Sequence, residues 1–170
     1  MLATHLVEYP WVTPTVVLCF AIVSVFVGPW LLVRKGLTRV LLGIAFFAVV
    51  ALVFTPTGRE MSMVCEVEWM LPLPKYVEPF ANLAMFVPLA YFAALASGRP
   101  IVTAIVASAG SALIETVQAL VSALGRSCST GDWLSNTLGA VLGAALGWAA
   151  LAIARRRARA RAQGESAIRH

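Results

Sequence analysis

Charged residues are what this sequence has least of. Of its 170 residues, 12% are charged and 60% are hydrophobic, and the mean hydropathy is +0.85. A soluble domain of this length would be about a quarter charged and about half apolar. The apolar excess lies in long uncharged stretches, so we predict a multi-pass membrane protein rather than a soluble domain.

The residues of the common catalytic sets are also scarce. The only two histidines, His5 and His170, lie near the ends of the sequence. No metal-ligand spacing, nucleophile elbow or phosphate-binding glycine loop occurs in it. We therefore expect no metal and no cofactor. An enzymatic activity stays open, and we favour a function without catalysis.

Five apolar segments are long enough to cross a hydrocarbon core, which takes about 17 to 25 residues. We predict spans at about 13–33, 37–54, 80–97, 101–124 and 133–154. A long connection at 55–79 and a basic tail at 155–170 complete the chain. The expected fold class is all-α, a single transmembrane helical bundle.

The basic residues are unevenly distributed along this bundle. The net charge of +5 would fit a nucleic-acid partner, but six of the thirteen basic residues lie in the tail, directly after a span. That position indicates contact with anionic headgroups. We therefore expect membrane lipids as partners and no nucleic acid.

The same distribution predicts the orientation. Ten basic residues lie between spans one and two, between spans three and four, or in the tail. Only Arg59, Lys75 and Arg126 lie on the other side. Because cytoplasmic segments carry the excess of Lys and Arg, we expect the N-terminus outside and the C-terminus inside.

Glu115 and Gln118 interrupt the fourth apolar segment. A carboxyl group at membrane depth is costly and normally faces a partner or a water-filled cavity. With the span ending at Leu124, Glu115 would lie roughly 14 Å below its end, close to the midplane. On a helix, five polar residues of this segment fall on one stripe about 80° wide: Ser108, Ser111, Glu115, Gln118 and Ser122.

The fifth span carries a second such stripe, formed by Asp132, Asn136, Gly139, Gly143 and Gly147. Its glycines let another helix backbone approach closely. We expect the two stripes to pack against each other, with Arg126 in the turn between them. The predicted ligand-binding residues are Asn82, Glu115, Gln118, Arg126, Asp132 and Asn136. The alternatives are structural: interhelical hydrogen bonds for the neutral members and a helix N-cap for Asp132.

The cysteines fall in two environments. Cys65 and Cys128 lie in connections predicted to face an oxidising compartment, so we expect a disulfide between them, with two free thiols as the alternative. This disulfide would hold the long connection over the outer opening of a pocket formed by the predicted ligand-binding residues. Cys19 lies inside the first span, where we expect a small buried hydrophobic residue.

Three elements in the last three spans resemble the VanZ-like family of membrane proteins. The stretch from Asn82 to Leu89 is similar to its N-x-x-x-F-x-P-x-G element, with Ala90 in place of the glycine. Glu115 and Gln118 match an E-x-x-Q element. The stretch from Gly125 to Gly139 resembles a G-R-x5-D-x3-N-x2-G element, and its Cys128 is like that of the actinobacterial branch. The resemblance covers about 80–148.

The resemblance implies a protein of the bacterial cytoplasmic membrane associated with tolerance to teicoplanin. We expect it to bind or handle an amphipathic envelope molecule at the outer face, such as a lipid-linked precursor or a lipoglycopeptide. Two alternatives stay open. One is a membrane enzyme acting on a lipid-linked substrate with Glu115 or Asp132 as base. The other is a structural or assembly subunit whose glycine stripe docks a partner helix.

Overall fold

The computed structural model describes residues 9–56, 65–121, 125 and 128–168, with side chains up to residue 163. Five helices occur in these ranges, and each is long and apolar enough to cross a membrane. In chain order they are α1 (Val12–Val33), α2 (Lys35–Phe54), α3 (Val77–Ser97), α4 (Pro100–Leu120) and α5 (Thr130–Ile168). The predicted all-α bundle of five spans is confirmed. In the described ranges, the only strand-like pairing is a single bridge between Glu66 and Ser129.

Two short corners make α1 and α2, and α3 and α4, antiparallel neighbours. Only Arg34 separates α1 from α2, and the Thr38 hydroxyl closes this corner by donating to the carbonyl oxygen of Leu31 at 2.8 Å. Gly98 ends α3 with a φ of 67°, a left-handed conformation that glycine adopts without steric cost. Pro100 then begins α4, where its missing N–H would have had no helical partner.

Two helix ends differ from the predicted spans. α3 begins at Val77 rather than at residue 80, because Pro79 is tolerated in the first turn of a helix. α4 ends at Leu120 rather than at residue 124. Glu115 therefore lies only about 7 Å from the end of its helix, at 1.5 Å per residue. The expected midplane position of Glu115 is wrong, and the carboxyl group lies near one end of the bundle.

α5 continues through most of the basic tail. Its 39 residues extend roughly 58 Å, about twice the thickness of a hydrocarbon core. The arginines from Arg155 to Arg161 are exposed on this helical extension.

The glycine stripe of α5 packs against α3, not against the polar stripe of α4. A Cβ atom added at Gly139 or Gly143 would collide with the carbonyl oxygen of Leu83 or Val87, both on α3. One added at Gly147 would meet the Cβ atom of Ala94 at 2.7 Å, also on α3. The predicted pairing of whole stripes is therefore wrong for the glycines, because the helix backbone that approaches them closely is that of α3, where Ala90 and Ala94 have small side chains.

Large apolar side chains cover the outside of the bundle. Phe26 on α1 and Phe47 on α2 are among the most exposed, as expected where the surroundings are lipid. α1 buries only the stripe of Ser24, Gly28 and Leu31. Cys19 lies away from that stripe and is exposed, so the expectation of a buried Cys19 is wrong.

Candidate functional site

The predicted site residues that the structure describes lie where α2 and α4 end and α3 and α5 begin. Glu115 on α4 is 7% exposed, and its Oε2 atom accepts a hydrogen bond of 3.0 Å from the backbone N–H of Ser129. Ser129 directly precedes α5. Because backbone N–H groups at a helix N-terminus lack helical partners and favour negative charge, α5 supplies a favourable partner for this carboxyl group.

Ser129 also caps α5 with its own side chain. Its Oγ atom accepts a hydrogen bond of 3.0 Å from the N–H of Gly131, and its carbonyl oxygen accepts one from Trp133. The cap that the sequence indicated for α5 therefore comes from Ser129, while Asp132 lies three residues further along, in the first turn of the helix. Nothing in the sequence paired Ser129 with Glu115, because the two residues lie on different elements.

Asp132 links α5 to α3. Its Oδ1 atom accepts a hydrogen bond of 2.5 Å from the Nδ2 atom of Asn82. Asp132 also lies close enough to Glu115 for the two carboxyl groups to interact electrostatically. Three helices thus bring Asn82, Glu115 and Asp132 to one place.

Asn136 lies one turn deeper on α5 and is 2% exposed. Its Nδ2 atom donates to the hydroxyl of Ser111 on α4 at 2.9 Å. Its Oδ1 atom has no hydrogen-bond partner among the described residues. A second link follows one turn away, where the hydroxyls of Ser108 and Thr137 lie 2.8 Å apart. The polar stripe of α4 therefore meets side chains from the first turns of α5.

Gln118 faces a different neighbour. Its Nε2 atom donates to the carbonyl oxygen of Val53 at 3.3 Å, which ties the end of α4 to the last turn of α2. The side chain is buried, but this bond points away from the other predicted site residues. Arg126 and Ser122, which the sequence assigned to the site and its stripe, lie outside the described residues.

We use "polar cluster" for the group of Asn82, Ser111, Glu115, Asp132 and Asn136 with the backbone of Ser129, in which Asn82 and Asp132 are half-buried and the other three side chains are buried. Sequence reasoning missed Ser129. The signal that could have found it was the serine before Thr130 at a predicted helix start, where the unpaired N–H groups need an acceptor.

A covalently tied loop lies beside the polar cluster. The predicted disulfide joins Cys65 to Cys128, whose Cα atoms are 4.6 Å apart. Next to it, the N–H of Glu66 donates to the carbonyl oxygen of Cys128, and the N–H of Thr130 donates to that of Glu66. The Thr130 hydroxyl also donates to the carbonyl oxygen of Glu68 at 2.7 Å. The loop is thus fixed to the segment that leads into α5.

Groups of three or more His, Cys, Asp or Glu side chains that could hold a metal ion do not occur in the part of the chain that the structure describes. The polar cluster contains mainly hydrogen-bond acceptors and amides. Such a set can hold the hydroxyl, amine or amide groups of a ligand, and a carboxyl group in it can serve as a general acid or base.

The chain was compared with protein families, curated proteins and solved structures. No curated protein and no solved structure matches the chain significantly. A family model described as VanZ/LLP1 matches residues 11–152. This match includes all the described members of the polar cluster and covers most of the sequence. The chain therefore belongs to the VanZ/LLP1 family of membrane proteins.

Proposed function

We propose that this protein acts at the outer face of the bacterial cytoplasmic membrane. There it binds or handles the polar part of an amphipathic envelope molecule, a lipid-linked precursor or a lipoglycopeptide, and so affects tolerance to teicoplanin-type antibiotics. Family membership supports the link to teicoplanin. The polar cluster supports the binding function.

Two features of different kinds support the outer position. The polar cluster shares its end of the bundle with the Cys65–Cys128 disulfide, and disulfides persist in oxidising compartments. The opposite end carries Arg34, Lys35, Arg99 and the basic extension of α5, as cytoplasmic ends do. Both features favour an orientation with the polar cluster outside.

The observation that carries the proposal is the unpartnered amide oxygen of Asn136. Leaving a buried acceptor without a hydrogen bond costs about 1–3 kcal/mol. Turning the amide over would not help, because Ser111 can serve only one end of it. A water molecule or a donor group of a ligand would remove this cost. The side chain is therefore suited to accept a hydrogen bond from a hydroxyl or an amine.

The position of the polar cluster fits an amphipathic ligand. Its members on α4 lie within the last three turns of that helix, close to where it ends. A molecule with a polar head and an apolar chain can place its head there and leave its chain among the membrane lipids.

Antibiotic tolerance in cells tests this proposal. We expect Glu115→Gln and Arg126→Ala to lower the teicoplanin concentration that cells tolerate, at wild-type protein levels. Thr116→Val is the matched control, since Thr116 is exposed on the same helix and its hydroxyl bonds only to the carbonyl oxygen of Ala112. Unchanged tolerance in both site variants would remove the polar cluster from the function.

The nearby pair of Glu115 and Asp132 favours one second candidate, a membrane enzyme on a lipid-linked substrate. One carboxyl group would act as general base and the other would hold the substrate. Lipid extracts from cells with wild-type protein and with Asp132→Asn should then differ in one consumed species. Identical extracts would exclude this candidate.

The third interpretation, a subunit that docks a partner helix on the glycine stripe, loses its main support. α3 of the same chain already occupies that stripe at Gly139, Gly143 and Gly147.

A further inference from the structure

A groove opens between α4 and α5 on the side of the bundle away from the polar cluster. Its volume is about 420 Å³, within the range of small-molecule sites. Only aliphatic and aromatic residues line it, among them Pro100, Ile101 and Ala104 on α4 and Val141, Ala145 and Trp148 on α5. Nothing in the function proposed above uses this groove.

The groove has the dimensions of a lipid chain segment. From Val141 to Trp148, α5 rises roughly 10 Å, at 1.5 Å per residue. One leaflet of the hydrocarbon core is about 15 Å deep, half of the whole thickness. The groove therefore covers most of one leaflet, and the side chains that line it are apolar, as an acyl chain requires.

Positive charge lies at the mouth of the groove. Arg99 directly precedes Pro100, which lines the groove, and Arg99 is exposed. Arg155 lies seven residues beyond Trp148, so it falls on the same face of α5 within about 20° and two turns further out. Each of the two helices that form the groove thus carries an arginine toward the same end of the bundle, Arg99 next to the groove and Arg155 two turns beyond it.

We propose that this groove binds one anionic phospholipid. An acyl chain lies between α4 and α5 against Ala104 and Ala145, and the phosphate lies between Arg99 and Arg155. Guanidinium groups suit phosphate because their N–H donors match its oxygens in pairs. This site is separate from the polar cluster, and its lipid belongs to the leaflet at the basic end of the bundle.

A second copy of the chain fits the groove less well. Copies inserted in the same direction would bring their Arg99 and Arg155 ends together in a two-fold dimer, where like charges repel. The exposed bulky side chains of Ile105 and Trp148 also stand at the groove, and they hinder the close approach of a helix about 10 Å wide. A flexible chain adapts to such walls more easily than a helix does.

Native mass spectrometry of the purified full chain, mixed with equal amounts of phosphatidylglycerol and phosphatidylcholine, tests the site. We expect one phosphatidylglycerol per wild-type chain to survive detergent removal. Ala145→Phe should abolish this retention by filling the groove. Arg99→Gln should weaken the binding of phosphatidylglycerol roughly fivefold, since a basic residue near the membrane surface contributes about 1 kcal/mol. It should leave the binding of phosphatidylcholine unchanged.

Matched variants separate the groove from general effects. Ala48→Phe adds the same bulk on the exposed face of α2, and Arg34→Gln removes a charge at the same end of the bundle. Both should retain lipid as wild type does, and a cooperative thermal unfolding transition in every variant shows that the chain has folded. Equal retention of the two lipids, or retention in Ala145→Phe, would overturn the proposal. So would a wild-type dimer that Ala145→Phe converts to a monomer, because the groove would then be an interface between copies.

Discussion

The carboxyl group of Glu115 and the backbone N–H of Ser129 lie 3.0 Å apart, and this contact joins the end of α4 to the start of α5. It gives the one acidic residue within α4 a defined partner. A carboxyl group from another helix here does what the N3 Glu of a capping box does within one helix. The contact also sets the depth of the polar cluster, close to an end of the bundle.

This contact predicts different outcomes for two substitutions of Glu115. Glu115→Gln keeps an oxygen that can accept from Ser129, so we expect a change in unfolding free energy below about 1 kcal/mol. Glu115→Ala leaves the N–H without that acceptor and should cost about 1–3 kcal/mol. Thermal unfolding of the purified proteins in one detergent would compare them. Equal losses would show that the hydrogen bond to Ser129 is not what Glu115 contributes.

The Asn82–Asp132 hydrogen bond should appear as a coupling between α3 and α5. In a double-mutant cycle of Asn82→Ala and Asp132→Ala, we expect a coupling energy of about 0.5–3 kcal/mol. Asp132→Ala alone should lower the unfolding free energy more than Asn82→Ala alone, because Asp132 also lies in the first turn of α5 near the positive end of the helix dipole. Additive losses in the cycle would contradict a direct contact.

The close approach of α5 to α3 predicts that Gly143 tolerates no side chain. Gly143→Ala would place a methyl group against the Val87 carbonyl oxygen, and we expect a loss of about 1–3 kcal/mol from overpacking. Gly110→Ala is the control, since a Cβ atom at Gly110 meets nothing within 4 Å. It should leave stability unchanged or raise it by up to about 1 kcal/mol, because alanine favours helices. A harmless Gly143→Ala would contradict the packing of α3 on α5.

The Cys65–Cys128 disulfide leads to one prediction about the stability of the protein and one about its orientation in the membrane. Replacing Cys65 and Cys128 by Ser together should lower the unfolding free energy by about 2–4 kcal/mol.

In intact cells carrying Cys19→Ser, a membrane-impermeant maleimide should label Cys65 and Cys128 only after an external reductant has acted. Labelling that requires cell lysis would place this end of the bundle inside and overturn the proposed orientation.

Much of the fold could be predicted because its signals are local. Span number depends on the length of uncharged stretches, and the corner at Gly98 and Pro100 depends on the backbone preferences of those two residues. The Cys65–Cys128 pairing followed from both cysteines lying in connections on one side. Site residues could be named for a similar reason, since Glu115 and Asn136 are unusual in apolar helices.

The sequence could not predict which helix packs against the glycines of α5 or how deep Glu115 lies in the bundle. Helical periodicity placed Gly139, Gly143 and Gly147 on one face of α5, but it could not say that α3 would fill that face. The length of the apolar segment placed Glu115 near the midplane, because apolar residues continue past Leu120, where the helix ends.

By itself, then, the sequence determined a five-span helical membrane protein with two polar stripes, because hydropathy and periodicity act over neighbouring residues. Only the tertiary structure decided that the glycines meet α3, that Glu115 binds the start of α5, and that Asn136 is left with an unpartnered oxygen. Those outcomes depend on which surfaces fit each other and which backbone groups remain unpaired, and both are properties of the whole bundle.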